Sequence, residues 1–258
     1  MAKATATGKS IQSEYAVFRP DGPRHLAGGS CVPPVFLPCA PGGHRLHKGM
    51  VKTVPDYTFE EAAGLRGYMR VVGVDEVGRG PLAGPVVAAA VWLDPARIPT
   101  GLNDSKVLSA KRREALYDEI LSVADVSIAS CSVEEIDEIN ILQASLRAME
   151  RAVAGLNIRA DYVLVDGNKI PAAFGLDAEA IIKGDARSVS ISAASIVAKT
   201  WRDKLMVDLA QQHPGYAWEK NAGYGTKAHL EGLQNLGVTP HHRRSFKPIH
   251  NILYQGKT

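Results

Sequence analysis

From Val71 onward the apolar and polar positions fall into blocks whose period changes, and each period predicts an element. Val71-Val72-Gly73-Val74 is an apolar run that leads into Asp75 and Glu76, predicting a buried strand over about 71–77. After a glycine turn, the run Val86 to Leu93 predicts its hairpin partner. Ser109 is placed to cap a helix whose Leu116, Ile120 and Val123 share a face, and a strand near Val126 to Cys131 follows. Ser132 and Glu135 form a capping box, after which Ile139, Leu142, Leu146, Met149 and Val153 recur by threes and fours until Gly155 ends the helix. That stripe reads as core and needs no cofactor. Tyr162 to Val165 and Ala180 to Ile182 are short buried runs, the first ending in Asp166 and the second followed by Asp185. A third long helix is predicted over about Ser192 to Gln212, stopped by Pro214, and a fourth from a Thr226 cap to Gly237. Strands and helices in this order predict an α/β fold.

Residues 1–68 carry no such periodicity. Pro and Gly recur at Pro20, Gly22, Pro23, Pro33, Pro34, Pro38, Pro41, Gly42 and Gly43, so this segment is expected to be a disordered extension. The catalytic body is expected over 69–258. Cys31, Cys39, His44 and His47 invite a zinc reading, but their spacing is not that of a usual finger and no helix follows to carry the histidines. Met50 precedes the first turn expected to be ordered, which suggests a translation start there.

The whole chain of 258 residues, 45% hydrophobic, can bury one substantial core. A net charge of +3 permits a nucleic-acid partner without requiring one, so that case rests on local clusters. Three cysteines without close pairing suit a reducing compartment, with Cys131 in the core. No apolar run reaches the roughly 20 residues of a membrane span, and no signal-peptide core opens the chain. The expectation is a cytoplasmic protein that does not engage a membrane.

The chemistry concentrates around Asp75 and Glu76. Two consecutive charges at the end of a buried strand are costly unless a cation or hydrogen bonds neutralise them. Gly78 and Gly80 let the main chain approach a ligand, and Arg79 between them offers a planar donor. This is neither the dinucleotide fingerprint nor the phosphate-binding loop, and Pro81 keeps a helix from opening normally. Taken alone, the segment also reads as a glycine-rich hairpin with an incidental acidic pair. Asp166 and Asp185 follow other buried runs, and ligands of α/β sheets gather beyond strand ends. Four such acids would repel one another unless divalent ions intervened, and oxygen-only ligands favour Mg²⁺ or Mn²⁺ over zinc.

Gly73-Val74-Asp75-Glu76-Val77-Gly78-Arg79-Gly80, Asp104-Ser105-Lys106, Val165-Asp166-Gly167, Lys183-Gly184-Asp185, Ser192 to Lys199 and Gly223-Tyr224-Gly225-Thr226 together resemble the ordered motif set of bacterial ribonuclease HII, over about residues 70–248. The resemblance implies an RNase H-like fold, a mixed five-stranded sheet flanked by helices with a C-terminal helical segment. It implies endonucleolytic cleavage of RNA in RNA–DNA hybrids and at ribonucleotides embedded in duplex DNA, leaving 5′-phosphate and 3′-OH by two divalent ions, Mg²⁺ or Mn²⁺. On this reading Asp75, Glu76, Asp166 and Asp185 are the catalytic and metal-binding acids. Gly78, Arg79 and Gly80 sense the ribose 2′-hydroxyl through backbone groups, and Tyr224 packs against the neighbouring deoxynucleotide. Lys106, Ser195 and Lys199 complete the substrate-binding set. The partners implied are hybrid and ribonucleotide-containing duplex, bound by a monomer.

Adjacent strand residues point to opposite faces, so Asp75 and Glu76 share a site only if the strand ends or twists there, or if Glu76 offers its carbonyl. Ser195 and Lys199, four apart, share a helix face suited to phosphate; Arg187 and Arg202 read equally as a solvated face with Arg202–Asp203 pairing. His241-His242-Arg243-Arg244 reads either as a tail that steers duplex or as a solvated one. His229 is given no general-base role. The rival functions are a catalytically idle hybrid-binding protein, a Mg²⁺-dependent phosphohydrolase of small substrates, and the sister type ribonuclease HIII, which would bring a different glycine turn and an ordered N-terminal domain.

Overall fold

The computed structural model of the protein describes residues 54–254 and the backbone of 17 and 18. The cysteine–histidine quartet at 31–47 and Met50 lie outside the described residues.

Among the described residues six strands form one mixed sheet. They are β1 (Val17–Phe18), β2 (Val71–Val77), β3 (Val86–Trp92), β4 (Asp125–Cys131), β5 (Tyr162–Asp166) and β6 (Asp177–Ile181), in spatial order β1-β4-β3-β2-β5-β6. β2 and β3 make the expected hairpin, with Asp75 opposite Ala89, while β2–β5 and β5–β6 are parallel. β1 adds a short antiparallel rung to β4, outside the five strands that make the body of the sheet.

The alternation of each strand sorts the core onto two faces. Val72, Val74, Ala88, Ala129, Val163 and Val165 pack against α3 (Val133–Ala154). Ala89, Val91, Val126 and Ile128 pack with α2 (Ala110–Val123) and α4 (Val189–Gln212) on the other face. Full burial of such aliphatic side chains contributes roughly 1.5–3 kcal/mol each, so the two layers carry most of the stabilisation. The α3 capping box forms as expected, and Asn140, at φ 68°, breaks the helix and restarts it by accepting from the amides of Leu142 and Gln143.

α4 is central. Its residues are buried nearly all round, so it lacks the polar face of a surface helix. It lies so close to β2 that a Cβ at Gly73 would sit 2.1 Å from the carbonyl carbon of Ser190. It begins at Val189, earlier than Ser192, because Ser188 caps it by accepting from the Ile191 amide.

Three further boundaries move. Order starts before residue 69: α1 (Thr58–Leu65) buries Glu60, whose carboxylate accepts from the Ser188 hydroxyl and the Ser190 amide and so fixes the start of α4. Eight residues with one such polar anchor give too little periodicity to read as a helix in sequence. β6 begins at Asp177 because it is an edge strand whose Asp177 and Glu179 accept from Tyr68 and Tyr162 rather than facing a core. The segment read as a basic tail is folded: α7 (Lys247–Tyr254) follows it, and the Asp137 carboxylate accepts from the amides of Arg244 and Ser245. Between them, α5 (Trp218–Asn221) and α6 (Lys227–Leu236) carry the tyrosine loop.

Candidate active site

The acids gather where β2 outruns its neighbour. β2 pairs with β5 as far as Val74–Val165, which sets Asp75 level with Asp166, the last residue of β5, and carries Glu76 past it. Asp75 has the parity of Val71 and Gly73 and faces α4, where Ser195 donates to its carboxylate. Ser195 in turn lies 2.9 Å from the hydroxyl of Ser105. Asp166 shares parity with Leu164, whose cluster includes Ile191 of α4, and accepts from the Gly184 amide at 2.7 Å. That bond draws in the 3₁₀ turn Gly184–Ala186 and with it Asp185. By alternation Glu76 points to the opposite face of β2, and it still feels the charge of Asp166. β3 pairs with β2 at both positions, so the two side chains keep opposite faces of the strand.

Burial, then the charges of Glu76 and Asp166, pushes the Asp75 carboxyl well above its ordinary range. Burial likewise raises Glu76, against the pull of Arg79, and burial with Asp166 and Asp104 raises Asp185, against the pull of Lys106. Arg79 reaches Glu76 at 3.2 Å and Lys106 stands 3.6 Å from Asp185. Burial tends to lower the Lys106 ammonium, but Asp185, Asp104, Asp75 and Asp166 together raise it. These are acids short of positive charge.

Among the described residues no three Asp, Glu, His or Cys side chains are placed closely enough to hold a metal ion as they stand. The donors are nonetheless of the right kind: carboxylate oxygens only, mostly buried, mutually repelling, with two flexible cations drawing Glu76 and Asp185 aside. Such a set fits a hard divalent cation.

The glycine turn lies next to the acids. Gly78, at φ +95°, has no room for a side chain: a Cβ there would be 2.3 Å from Arg202 Nε. Arg79 and Gly80 are exposed, and a Cβ at Gly80 would approach Tyr224 Cε1 to 3.2 Å, so the tyrosine ring lies on the turn. Tyr224 is 46% exposed, as expected of a reading side chain. Its carbonyl receives a hydrogen bond from His229 Nδ1 at 2.9 Å. Since a carbonyl only accepts, Nδ1 carries the proton and Nε2 is free to accept from Trp218 Nε1.

Not every expected substrate contact sits at the acids with its polar group free. Ser195 is buried beneath Asp75 and orients the carboxylate. Lys199 donates to Asp203 at 2.7 Å, and Arg113 joins the same aspartate, so this lysine stands in a side network that reaches the site through Arg113 and the carbonyl of Ser105. Asp203 therefore pairs with Lys199 rather than with Arg202, which is fully buried and no part of a solvated face. His242 and Arg243 are buried as well, which overturns the reading of this stretch as a tail. A local signal that a helix follows the basic run was present in Pro248, which lies in the first turn of α7.

The sequence profile of the family "Ribonuclease HII" matches residues 72–249, from the acid-bearing strand to the last helix. The chain belongs to the ribonuclease HII family. Ribonuclease HII of Ruegeria pomeroyi is 70% identical over 203 residues, 79% of this chain and 87% of that protein. Ribonuclease HII of Paracoccus denitrificans is 61% identical over 204 residues, 79% of this chain and 97% of its own length. The crystal structure of ribonuclease H2 from Pyrococcus horikoshii OT3 superposes with a TM-score of 0.62 and 28% identity, over 74% of this chain and all of that one. A Bst ribonuclease HIII, at 18% identity and TM-score 0.56 over 76% of this chain and 73% of its own, shares the fold. As a ribonuclease HII the chain is an endoribonuclease, and the family match covers the stretch over which its motifs carry the resemblance.

Proposed function

We propose that this ribonuclease HII hydrolyses the RNA strand of RNA–DNA hybrids and cuts duplex DNA on the 5′ side of an embedded ribonucleotide, leaving 5′-phosphate and 3′-OH. The observation that carries the reading is the convergence of Asp75, Asp166 and Asp185 on the α4 side of one sheet end, with Glu76 beside them and the glycine turn and Tyr224 adjoining.

Asp75, Glu76, Asp166 and Asp185 would hold two divalent ions, Mg²⁺ or Mn²⁺. Bound there, the ions supply the positive charge that lowers the pKa of a water nucleophile and offsets charge developing on the leaving 3′-oxygen. The chain's own groups do the rest. Ser195 keeps the Asp75 carboxylate oriented, and the Gly184 amide does the same for Asp166. Lys106, 80% exposed along its side chain, is free to leave Asp185 for a phosphate when that acid takes up a metal ion. Arg79 stands in the same relation to Glu76. The turn 78–80 meets the ribose through its main chain, where the 2′-hydroxyl distinguishes RNA from DNA. Tyr224 stacks on the next nucleotide, a contact that tolerates any base.

The protein acts as a monomer in the cytoplasm, with nucleic acid as its partner. No helix among the described residues is long and apolar enough to cross a membrane. The test is a DNA duplex with one ribonucleotide, incubated with Mg²⁺ or Mn²⁺ and with EDTA. A single cut 5′ of the ribonucleotide that EDTA abolishes is expected; no cut with either ion, or equal cutting of all-DNA duplex, overturns the reading.

A further inference from the structure

Two fully buried arginines stand behind the glycine turn, and neither has a carboxylate within ion-pair reach among the described residues. Arg243 donates to three main-chain carbonyls: Gly78 at 2.6 Å, Arg79 at 3.1 Å and Gly84 at 2.9 Å. Arg202 donates to Pro85 at 3.0 Å, Ala83 at 3.1 Å and, across to the tyrosine loop, Ala222 at 2.9 Å. The Arg243 guanidinium also lies 5.1 Å from the centre of the Phe246 ring, which holds its plane. Burying two cations without a counter-ion is costly, and apolar residues of the same volume would often be more stable. What the arginines provide instead is direction.

In a trans peptide the carbonyl of one residue and the amide N–H of the next point opposite ways. Arg243 pulls the carbonyls of Gly78 and Arg79 inward, so the N–H groups of Arg79 and Gly80 are turned outward. Both residues are exposed, and neither amide donates to any described residue. They are a pair of adjacent, unpartnered donors on the face where Tyr224 rests. Arg202 holds the return of the same loop and ties it to the segment carrying Tyr224.

We infer that Arg243, assisted by Arg202, is a positioning residue for ribonucleotide recognition: without touching substrate, it fixes the direction of the two amide donors that meet the 2′-hydroxyl. This rests on the reading that the turn faces the ribose. A lysine keeps the charge but not the planar fork that serves three carbonyls at once.

The test compares wild type with Arg243→Lys and Arg202→Lys as full chains. Each is titrated in EDTA with a duplex carrying one ribonucleotide and with the same sequence as DNA throughout, and cleavage is then followed after Mg²⁺ is added. The readout is the ratio of the two affinities, which a partly unfolded preparation does not move, since inactive protein weakens both alike. Arg243→Lys is expected to lower this preference by about ten-fold, the scale of one displaced hydrogen bond to a strong donor. An unchanged ratio in a folded Arg243→Lys protein overturns the inference, as does a wild type that cleaves at the ribonucleotide yet shows no preference on binding. A wild type that neither prefers nor cleaves the ribonucleotide duplex overturns the underlying reading and this inference with it. If Arg243→Lys fails to fold, Arg202→Lys is read by the same ratio. If neither folds, hydrogen exchange of the wild-type Leu82 and Gly84 amides, which donate to Gly223 and His241, decides: slow exchange supports a clamped loop, and exchange at the rate of an unstructured peptide overturns it.

Discussion

Asp75 is held in a place that suits a cation and not itself. In metal-free protein its raised carboxyl keeps a proton to higher pH than in the unfolded chain, so the stability tied to it is full below the ordinary carboxylate range and lost as pH rises through the raised folded value. Asp75→Asn removes that loss. In EDTA at neutral pH the variant is expected to melt above wild type, with the gap closing toward about pH 4, where the ordinary carboxylate also protonates; calorimetry checks this. The same change, and Asp166→Asn, is expected to lower turnover at least about a thousand-fold, since several kcal/mol of charge stabilisation disappears, while hybrid binding stays largely intact. Cleavage by either variant in saturating Mn²⁺ would refute the assignment. Tyr224→Ala should weaken binding by about 1–3 kcal/mol, the range for one base stacked on an aromatic ring, and a fluorescence titration measures it.

At the scale of elements, the contact of α4 with β2 decides the geometry of the acids. Gly73→Ala drives a methyl into the backbone at Ser190 and is expected to cost about 3 kcal/mol in urea unfolding, because backbone cannot step aside as a side chain can. The tyrosine loop rests on a different device. Burial, then neighbouring His229, pushes the His242 imidazole down to about 3. Its contribution is full above the ordinary value near 6.5 and is lost as pH falls toward the folded value. Unfolding free energy should therefore drop as pH falls from about 6.5 toward about 3, and His242→Asn, whose oxygen can replace Nδ1 as acceptor for the Thr239 amide, should flatten that slope. The sequence displays the helices and central strands plainly, because Ser109, Ser132 and Thr226 caps and regular apolar stripes are local signals. The four acids were legible for the same reason: each follows a buried run. Arg202, Arg243 and His229 were not, since a buried cation or imidazole that serves distant carbonyls looks in sequence like any charged surface residue. Ser195 was found but misplaced, as its partner Ser105 lies 90 positions away.

Across the whole molecule, the last described segment returns to the first functional loop. His242 bridges Ala83, the amide of Arg243 donates to Leu82, and the Arg243 side chain donates to Gly78, 165 positions earlier. Ile249 of α7 is buried with Trp218, Tyr216 and Leu82, so the same return covers the tyrosine loop from outside. A chain ending at Pro240 is expected to keep the protected strands β2 and β3 and lose protection at Leu82 and Gly84 first, which hydrogen exchange resolves. Proteins are synthesised from the N-terminus, and all four acids are therefore made before Arg243. A growing polypeptide carries its acids early and receives the arginine that braces the 78–84 loop late, so the loop takes its final shape only once the closing segment has been made.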